Sequence, residues 1–159
     1  MKTLIVYYSL SGNTAKIAED IASEIDADVY AIKAKNPIKA KGKAGQILAF
    51  MWRMITRNFN IESFDKNIDD YEEIIIGTPV WGGSYAAYIK KFFEQNPISG
   101  KKIHVFMSAG DNAGRTFENL KKLLADNEFG ESFYLSDKEK DQKQRTEKTK
   151  QFAKKIKQI

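Results

Sequence analysis

Three segments gather hydroxyls, glycines and one aromatic ring in a chain that is otherwise largely apolar or charged. The first is Ser9-Leu10-Ser11-Gly12-Asn13-Thr14. It offers three hydroxyls, an amide, and a glycine whose missing Cβ lets a ligand approach the backbone. An apolar run precedes it and a helix-spaced segment follows, so the loop opens onto a helix N-terminus. Unpaired N–H groups and the helix dipole favour an anion there. The loop holds no lysine or arginine, which suits a phosphate monoester neutralised by hydrogen bonds. Serine and threonine are also ordinary helix caps, so this segment alone leaves capping and phosphate binding both open. Its spacing fits neither the lysine-bearing phosphate loop of nucleotide hydrolases nor GxGxxG.

The second segment is Gly77-Thr78-Pro79-Val80-Trp81-Gly82-Gly83. A flat aromatic on a glycine-flanked loop is what a planar ring ligand needs for stacking; the other reading is a tryptophan that plugs the end of a sheet. The third is Ser108-Ala109-Gly110-Asp111-Asn112-Ala113-Gly114. Its small residues leave room for a ligand edge, and its backbone groups can bond polar ring atoms, although by itself it is only a glycine-rich turn.

The elements that must hold these segments follow from periodicity. Thr3 to Tyr8 is a continuous apolar run, as expected of a strand buried on both faces. Ile17, Ala18, Ile21, Ala22 and Ile25 recur at helical spacing. Strands are expected at 28–33, 73–77, 102–107 and 132–135, and helices at 46–57, 85–94 and 115–124. A basic amphipathic helix is expected to close the chain through Phe152, Ile156 and Ile159. The stretch 36–45, with Pro37, Gly42 and Gly45 as breakers, reads as a loop. Strands alternate with helices, and right-handed crossovers turn that alternation into a parallel sheet. The expected fold is α/β, a doubly wound five-stranded parallel sheet in three α/β/α layers, order 2-1-3-4-5, forming one domain over 1–159. Ligands of such sheets bind beyond the carboxyl ends of the strands, near the switch in strand order. All three segments fall there.

Composition removes several chemistries. The 159 residues include no cysteine, so disulfides, thiolate metal sites and cysteine nucleophiles are out. The single histidine, His104, lies in a strand-like run and reads as structural. No stretch has the apolar length of a membrane span, and the N-terminus lacks the pattern of a signal peptide; a cytoplasmic protein without a membrane partner is expected. The net charge is +5. From Val29 to Ile61 there is no acidic residue, while Lys33, Lys35, Lys39, Lys41, Lys43, Arg53 and Arg57 are present. A second basic run, 138–159, reads as a solvated helix face. The helix at 46–57 is apolar nearly all round, through Ile47, Leu48, Phe50, Met51, Trp52, Met54 and Ile55. Its two aromatics are expected to fill local core, with a partner, a second subunit or a ligand as the other use of the face.

Together the three segments describe one object with a phosphate at one end and a flat polar ring at the other. In content, order and position they resemble the flavodoxin family. The first matches its Ser/Thr-x-Ser/Thr-G-x-T phosphate loop, and the second its Thr-Pro-x-Trp-Gly loop. The resemblance runs over essentially the whole chain and implies FMN as cofactor. It implies that Ser9, Leu10, Ser11, Gly12, Asn13 and Thr14 hold the phosphate. Thr78, Pro79, Val80, Trp81, Gly82 and Gly83 would flank the isoalloxazine, with Trp81 stacked on it. Ser108, Ala109, Gly110 and Asp111 would bond the pyrimidine edge. The Gly82 carbonyl resembles the one that, in this family, turns to accept a proton at the ring N5, a movement glycine permits. No catalytic side chain and no metal are implied.

The sequence departs from the family in charge, since flavodoxins are typically acidic. Gly83 stands where an acidic residue is common, and no aromatic is available near Gly114 to cover the second ring face; Tyr85 is a candidate substitute. Reduced FMN is anionic, so nearby positive charge is expected to make the second potential less negative. The expected role is a one- and two-electron carrier between redox partner proteins, acidic ones suiting the charge of 33–57. The alternative is an FMN-dependent NAD(P)H oxidoreductase acting on quinones or similar acceptors. Nucleic acid is disfavoured because no recognition motif accompanies the charge. Monomer and homodimer both stay open.

Overall fold

The computed structural model describes residues 2–37 and 41–158, without the side chains of Lys43, Gln46 and Ile47. Lys39 and Ile159 therefore lie outside the described residues. The elements run β1 (Thr3–Tyr7), α1 (Asn13–Ala22), β2 (Asp28–Ala31), α2 (Gly42–Thr56), β3 (Glu73–Trp81), β4 (Ser84–Tyr85), α3 (Ala87–Gln95), β5 (Lys102–Ala109), α4 (Thr116–Leu123), β6 (Glu128–Ser136) and α5 (Gln142–Lys157). Five strands are parallel in the order β2-β1-β3-β5-β6, and the two-residue β4 folds back antiparallel onto β3. This is the expected doubly wound order, with β4 as an addition.

The central strands form because they are apolar on both sides. Ile74, Ile75 and Ile76 are all completely buried. Leu4, Val6, Ile74 and Ile76 face one layer with Tyr88, Ile89 and Phe92 of α3 and Leu120 of α4. Ile5 and Ile75 face the other, with Ile17 and Ile21 of α1 and Phe152 and Ile156 of α5. Consecutive residues thus enter opposite cores, as the pleat requires.

Register places the functional loops side by side. Tyr7 pairs with Gly77, and Gly77 with Phe106, so the carboxyl end of β1 lies beside β3 and β5, which run on past it. Gly77 is fixed by packing: a Cβ there would lie 2.1 Å from the Phe106 ring and 2.7 Å from Tyr7 Cβ.

Several boundaries differ from the sequence expectation; β2 ends at Ala31 and β5 runs on to Ala109. β3 continues through Thr78-Pro79-Val80-Trp81 instead of ending at Gly77, because β5 goes on pairing with it as far as Pro79 and β4 pairs with Val80 and Trp81. α3 therefore starts at Ala87, after Ser84 and Tyr85 have joined β4. α2 begins at Gly42, inside the stretch read as a loop. β6 spans nine residues where only 132–135 was expected, since its first half is interrupted by Gly130 and charged residues.

Gly130 has a physical cause in His104. A Cβ on Gly130 would sit 2.6 Å from the His104 ring, and the β5–β6 register shifts between Ile103 and Val105. His104 is completely buried. Its Nδ1 accepts from the Glu131 N–H at 2.9 Å, and Nε2 lies 3.1 Å from Glu73 Oε1. Because Nδ1 accepts, the proton is on Nε2 and points at the carboxylate. The Thr3 hydroxyl donates to Glu73 Oε2 at 3.0 Å. His104 is a structural residue, as its strand setting suggested.

Candidate functional site

The first loop turns on Gly12, which caps α1 with φ 95°, a conformation that costs other residues strain. The Gly12 N–H donates to Ser9 Oγ at 3.1 Å. This local bond curls the loop and leaves open space above Gly12, with nothing within 4 Å of a Cβ position. No side chain caps α1, and its first turn carries no acidic residue. The N–H groups that open the helix are thus uncapped by any side chain, a setting that stabilises a bound anion. Leu10, Ser11, Gly12 and Asn13 beside them are exposed.

The loops are tied to one another. The buried Thr14 and Ser108 hydroxyls are 2.7 Å apart, joining the start of α1 to the end of β5. Asn13 Nδ2 donates to Asp137 Oδ1 at 3.1 Å, and the Asp137 N–H donates to the Ala109 carbonyl at 2.8 Å. Asp137, just beyond β6, was not anticipated as part of this rim, because the strand ahead of it was read too short. Asp111 is exposed and paired with Lys138 at 2.7 Å.

The second segment is held more rigidly than a loop. Thr78 is completely buried; its hydroxyl accepts from the Ala86 N–H and donates to the Pro79 carbonyl, both at 2.9 Å. Its side chain thus shapes the turn into α3 and leaves only backbone for a ligand. Gly82 and Gly83 make the turn itself, at φ 57° and 76°, and a Cβ on either would meet no atom within 4 Å. Gly114 sits directly against Gly83, and the Arg115 N–H donates to the Gly83 carbonyl at 2.8 Å. This contact explains two departures from the family pattern. Positive φ favours glycine at position 83, and no side chain could project from Gly114. Tyr85, the candidate substitute, is half-buried on β4 opposite Val80.

Trp81 is half-buried in an aromatic cluster that sequence spacing could not reveal. Tyr8 meets it edge-on at 5.5 Å and stacks on Tyr88 at 4.3 Å between centroids. Phe50 of α2 meets it edge-on at 4.7 Å. Arg53 Nη1 donates to the Tyr88 hydroxyl at 2.6 Å. Burial, aided by Tyr88 and opposed by Arg53, pushes the Tyr8 hydroxyl well above the ordinary tyrosine range, so it stays a neutral group. Phe50 is half-buried against Trp81, while Trp52 does not fill core: it is 67% exposed.

The structure therefore brings all three segments to one end of the sheet, with the uncapped start of α1 at Gly12 and an aromatic ring on the neighbouring strand. This defines an α/β protein of the doubly wound class. A sequence model of the flavodoxin family, described as "Flavodoxin", matches residues 2–150, and the chain belongs to that family. It is 29% identical over 111 residues to an uncharacterized protein of Methanocaldococcus jannaschii, covering 69% of this chain and 55% of that protein. The chain thus spans about half the length of that relative. A Lactobacillus acidophilus flavoprotein in complex with FMN superposes with TM-score 0.66 at 24% identity, over 84% of this chain and 92% of that one. A Bacteroides uniformis protein described as a flavoprotein superposes with TM-score 0.76 at 24% identity, over 96% of this chain and 97% of the other. At that identity both likenesses speak to the fold. Among the described residues no helix is long and apolar enough to cross a membrane, and no cluster of side chains could hold a metal ion.

Proposed function

We propose that this protein binds one FMN and carries electrons between redox proteins. The observation that carries the reading is the start of α1 at Gly12: a helix N-terminus with no side-chain cap and no acidic residue in its first turn, over an open αL glycine, in a loop that supplies hydroxyls and holds no lysine or arginine. It suits a phosphate monoester attached to a larger group that continues toward Trp81. Family membership supports the same cofactor, as does the FMN named in the Lactobacillus complex.

In this reading Ser9, Ser11 and Asn13, with the backbone from Leu10 to Thr14, hold the phosphate. The Thr14 and Ser108 hydroxyls fix the two loops instead of reaching the ligand. Val80 to Gly83 flank the ring with Trp81 against it, and Thr78 and Pro79 set their position. The backbone of Ala109 and Gly110, with Asp111, meets the polar edge. Bound FMN would supply the capacity to take up and release one or two electrons. Gly82, unobstructed and at positive φ, can turn its peptide to accept a hydrogen bond from a protonated ring nitrogen. None of these side chains is a free acid or base positioned to catalyse, which suits a carrier.

One observation favours a second reading, an NAD(P)H oxidoreductase. The Gly83–Gly114 contact admits no covering side chain at Gly114, which leaves that approach open to a hydride donor. The test is an absorption spectrum of the purified protein with FMN, before and after anaerobic addition of NADPH or NADH. Binding with no bleaching by either nucleotide supports the carrier; rapid bleaching supports the oxidoreductase; failure to bind FMN overturns both.

A further inference from the structure

The outer face of α2 has no partner among the described residues. Leu48, Met51, Trp52, Met54 and Ile55 are 70%, 54%, 67%, 47% and 73% exposed. A groove of about 730 Å³ runs along it, lined by Pro37, Leu48, Trp52, Arg53, Ile55 and Asn58 among others. Five large apolar side chains open to water on one helix mark an interaction surface, not ordinary surface apolarity.

The position of the helix ties this face to the candidate site. Phe50, on the same helix, meets Trp81, and Arg53 both lines the groove and binds Tyr88. Charge then selects the occupant. Every formally charged residue from Val29 to Ile61 is basic; Lys33, Lys35, Lys41 and Arg57 are exposed, Lys41 and Arg57 at the two ends of α2 and Lys35 paired through its backbone with Asn60 beyond it. A second copy of this face would bring cations against cations. A bilayer can neutralise the charge and cover apolar side chains, but a concave groove calls for a protruding side chain that a lipid surface does not offer. An apolar centre of tryptophan, methionine and arginine with a polar rim is the anatomy of a protein interface.

We infer that α2 is the docking surface for an acidic electron-exchange partner, which seats an apolar side chain in the groove and places carboxylates on Lys33, Lys35, Lys41 and Arg57. The inference rests on the carrier reading, because it gives a reason for the partner to come within reach of Trp81. It reverses the charge arrangement expected of an acidic flavodoxin.

The test uses the full-length protein and a fluorescein-labelled amphipathic 18-residue peptide, with leucine and tryptophan on one face and glutamate on the other. A second peptide carries lysine in place of glutamate. Fluorescence anisotropy should show the acidic peptide binding, with affinity falling about tenfold between 20 and 300 mM salt, and the lysine peptide binding at least tenfold more weakly. Trp52→Ala and Leu48→Ser should each weaken the acidic peptide several-fold. FMN affinity, read separately by flavin fluorescence quenching, should be unchanged in both variants. Loss of FMN binding in the native protein would defeat the carrier reading; intact FMN binding with no preference for the acidic peptide would defeat this one alone. Preferential binding to phosphatidylserine vesicles, or a concentration-dependent dimer abolished by Trp52→Ala, would also overturn it.

Discussion

Gly114 lies backbone to backbone with Gly83: a Cβ on Gly114 would come within 2.6 Å of both the Gly83 Cα and its carbonyl oxygen. The two turns that frame one side of the candidate site therefore act as one piece. Gly114→Ala combines a positive-φ penalty with a clash against main chain that cannot swing away. It should destabilise the fold by about 3 kcal/mol. Gly82→Ala meets no atom within 4 Å and should cost about 1 kcal/mol, the conformational penalty alone. Urea denaturation of both variants checks the difference.

The Thr14–Ser108 hydrogen bond can be removed without changing shape. Thr14→Val leaves a buried serine hydroxyl without its partner and should cost about 1–3 kcal/mol of stability. Gly12→Ala instead acts on the start of α1. It should weaken FMN about tenfold by opposing the αL turn, with a smaller effect on riboflavin, which lacks the phosphate. Paired fluorescence titrations with FMN and riboflavin measure this, and an equal loss for both would refute the start of α1 as the phosphate site.

The pair at the other end of the sheet governs acid stability. Burial works to raise the Glu73 carboxyl, but hydrogen bonds from His104 and Thr3 outweigh it and hold it below the usual glutamate range. A carboxylate depressed in the folded state stabilises fully above its unfolded pKa of about 4.3, and that contribution fades as pH falls through the folded value. Native protein should lose stability steeply below about pH 4.3. Glu73→Gln should be less stable at pH 7 and show a shallower acid slope. Urea midpoints from pH 7 to pH 3 decide it.

Arg53 places a positive charge on Tyr88, within the aromatic cluster described around Trp81. Arg53→Gln should make the second reduction potential of the FMN-loaded protein more negative, on the order of tens of millivolts, and less so at high salt. The native second potential should be less negative than in an acidic flavodoxin. An anaerobic redox titration at two ionic strengths measures both.

Much of this was legible because apolar runs and glycine-rich breaks alternate so regularly. The Ile74–Ile76 strand and the Ile17/Ile21 helix face need no three-dimensional information to recognise. The three loops were legible for the same reason: each follows such a strand. What stayed hidden depends on contacts distant in sequence. Trp81 reads as a loop residue until β4 and Val80 are seen to pair. Asp137 joins the rim through a strand whose first half is disguised by Gly130, a glycine present only because His104 lies across from it. The partners of Trp81 come from the residue after β1 and from α2 and α3, and no spacing rule connects Tyr8, Phe50 and Tyr88. The missing second aromatic was visible as an absence, but its cause, the Gly83 backbone, was not.

The register break at His104 has a consequence for the border of the sheet. β6 pairs only with β5, so its outer row of N–H and C=O groups is a template on which a strand from another molecule could polymerise. The register shift opposite His104 interrupts that ladder, as a bulge does, and Glu128, together with the Glu131–Lys155 ion pair, places charge along it. A buried imidazole thus makes the rim a poor seed for edge-to-edge fibre growth when the protein is concentrated.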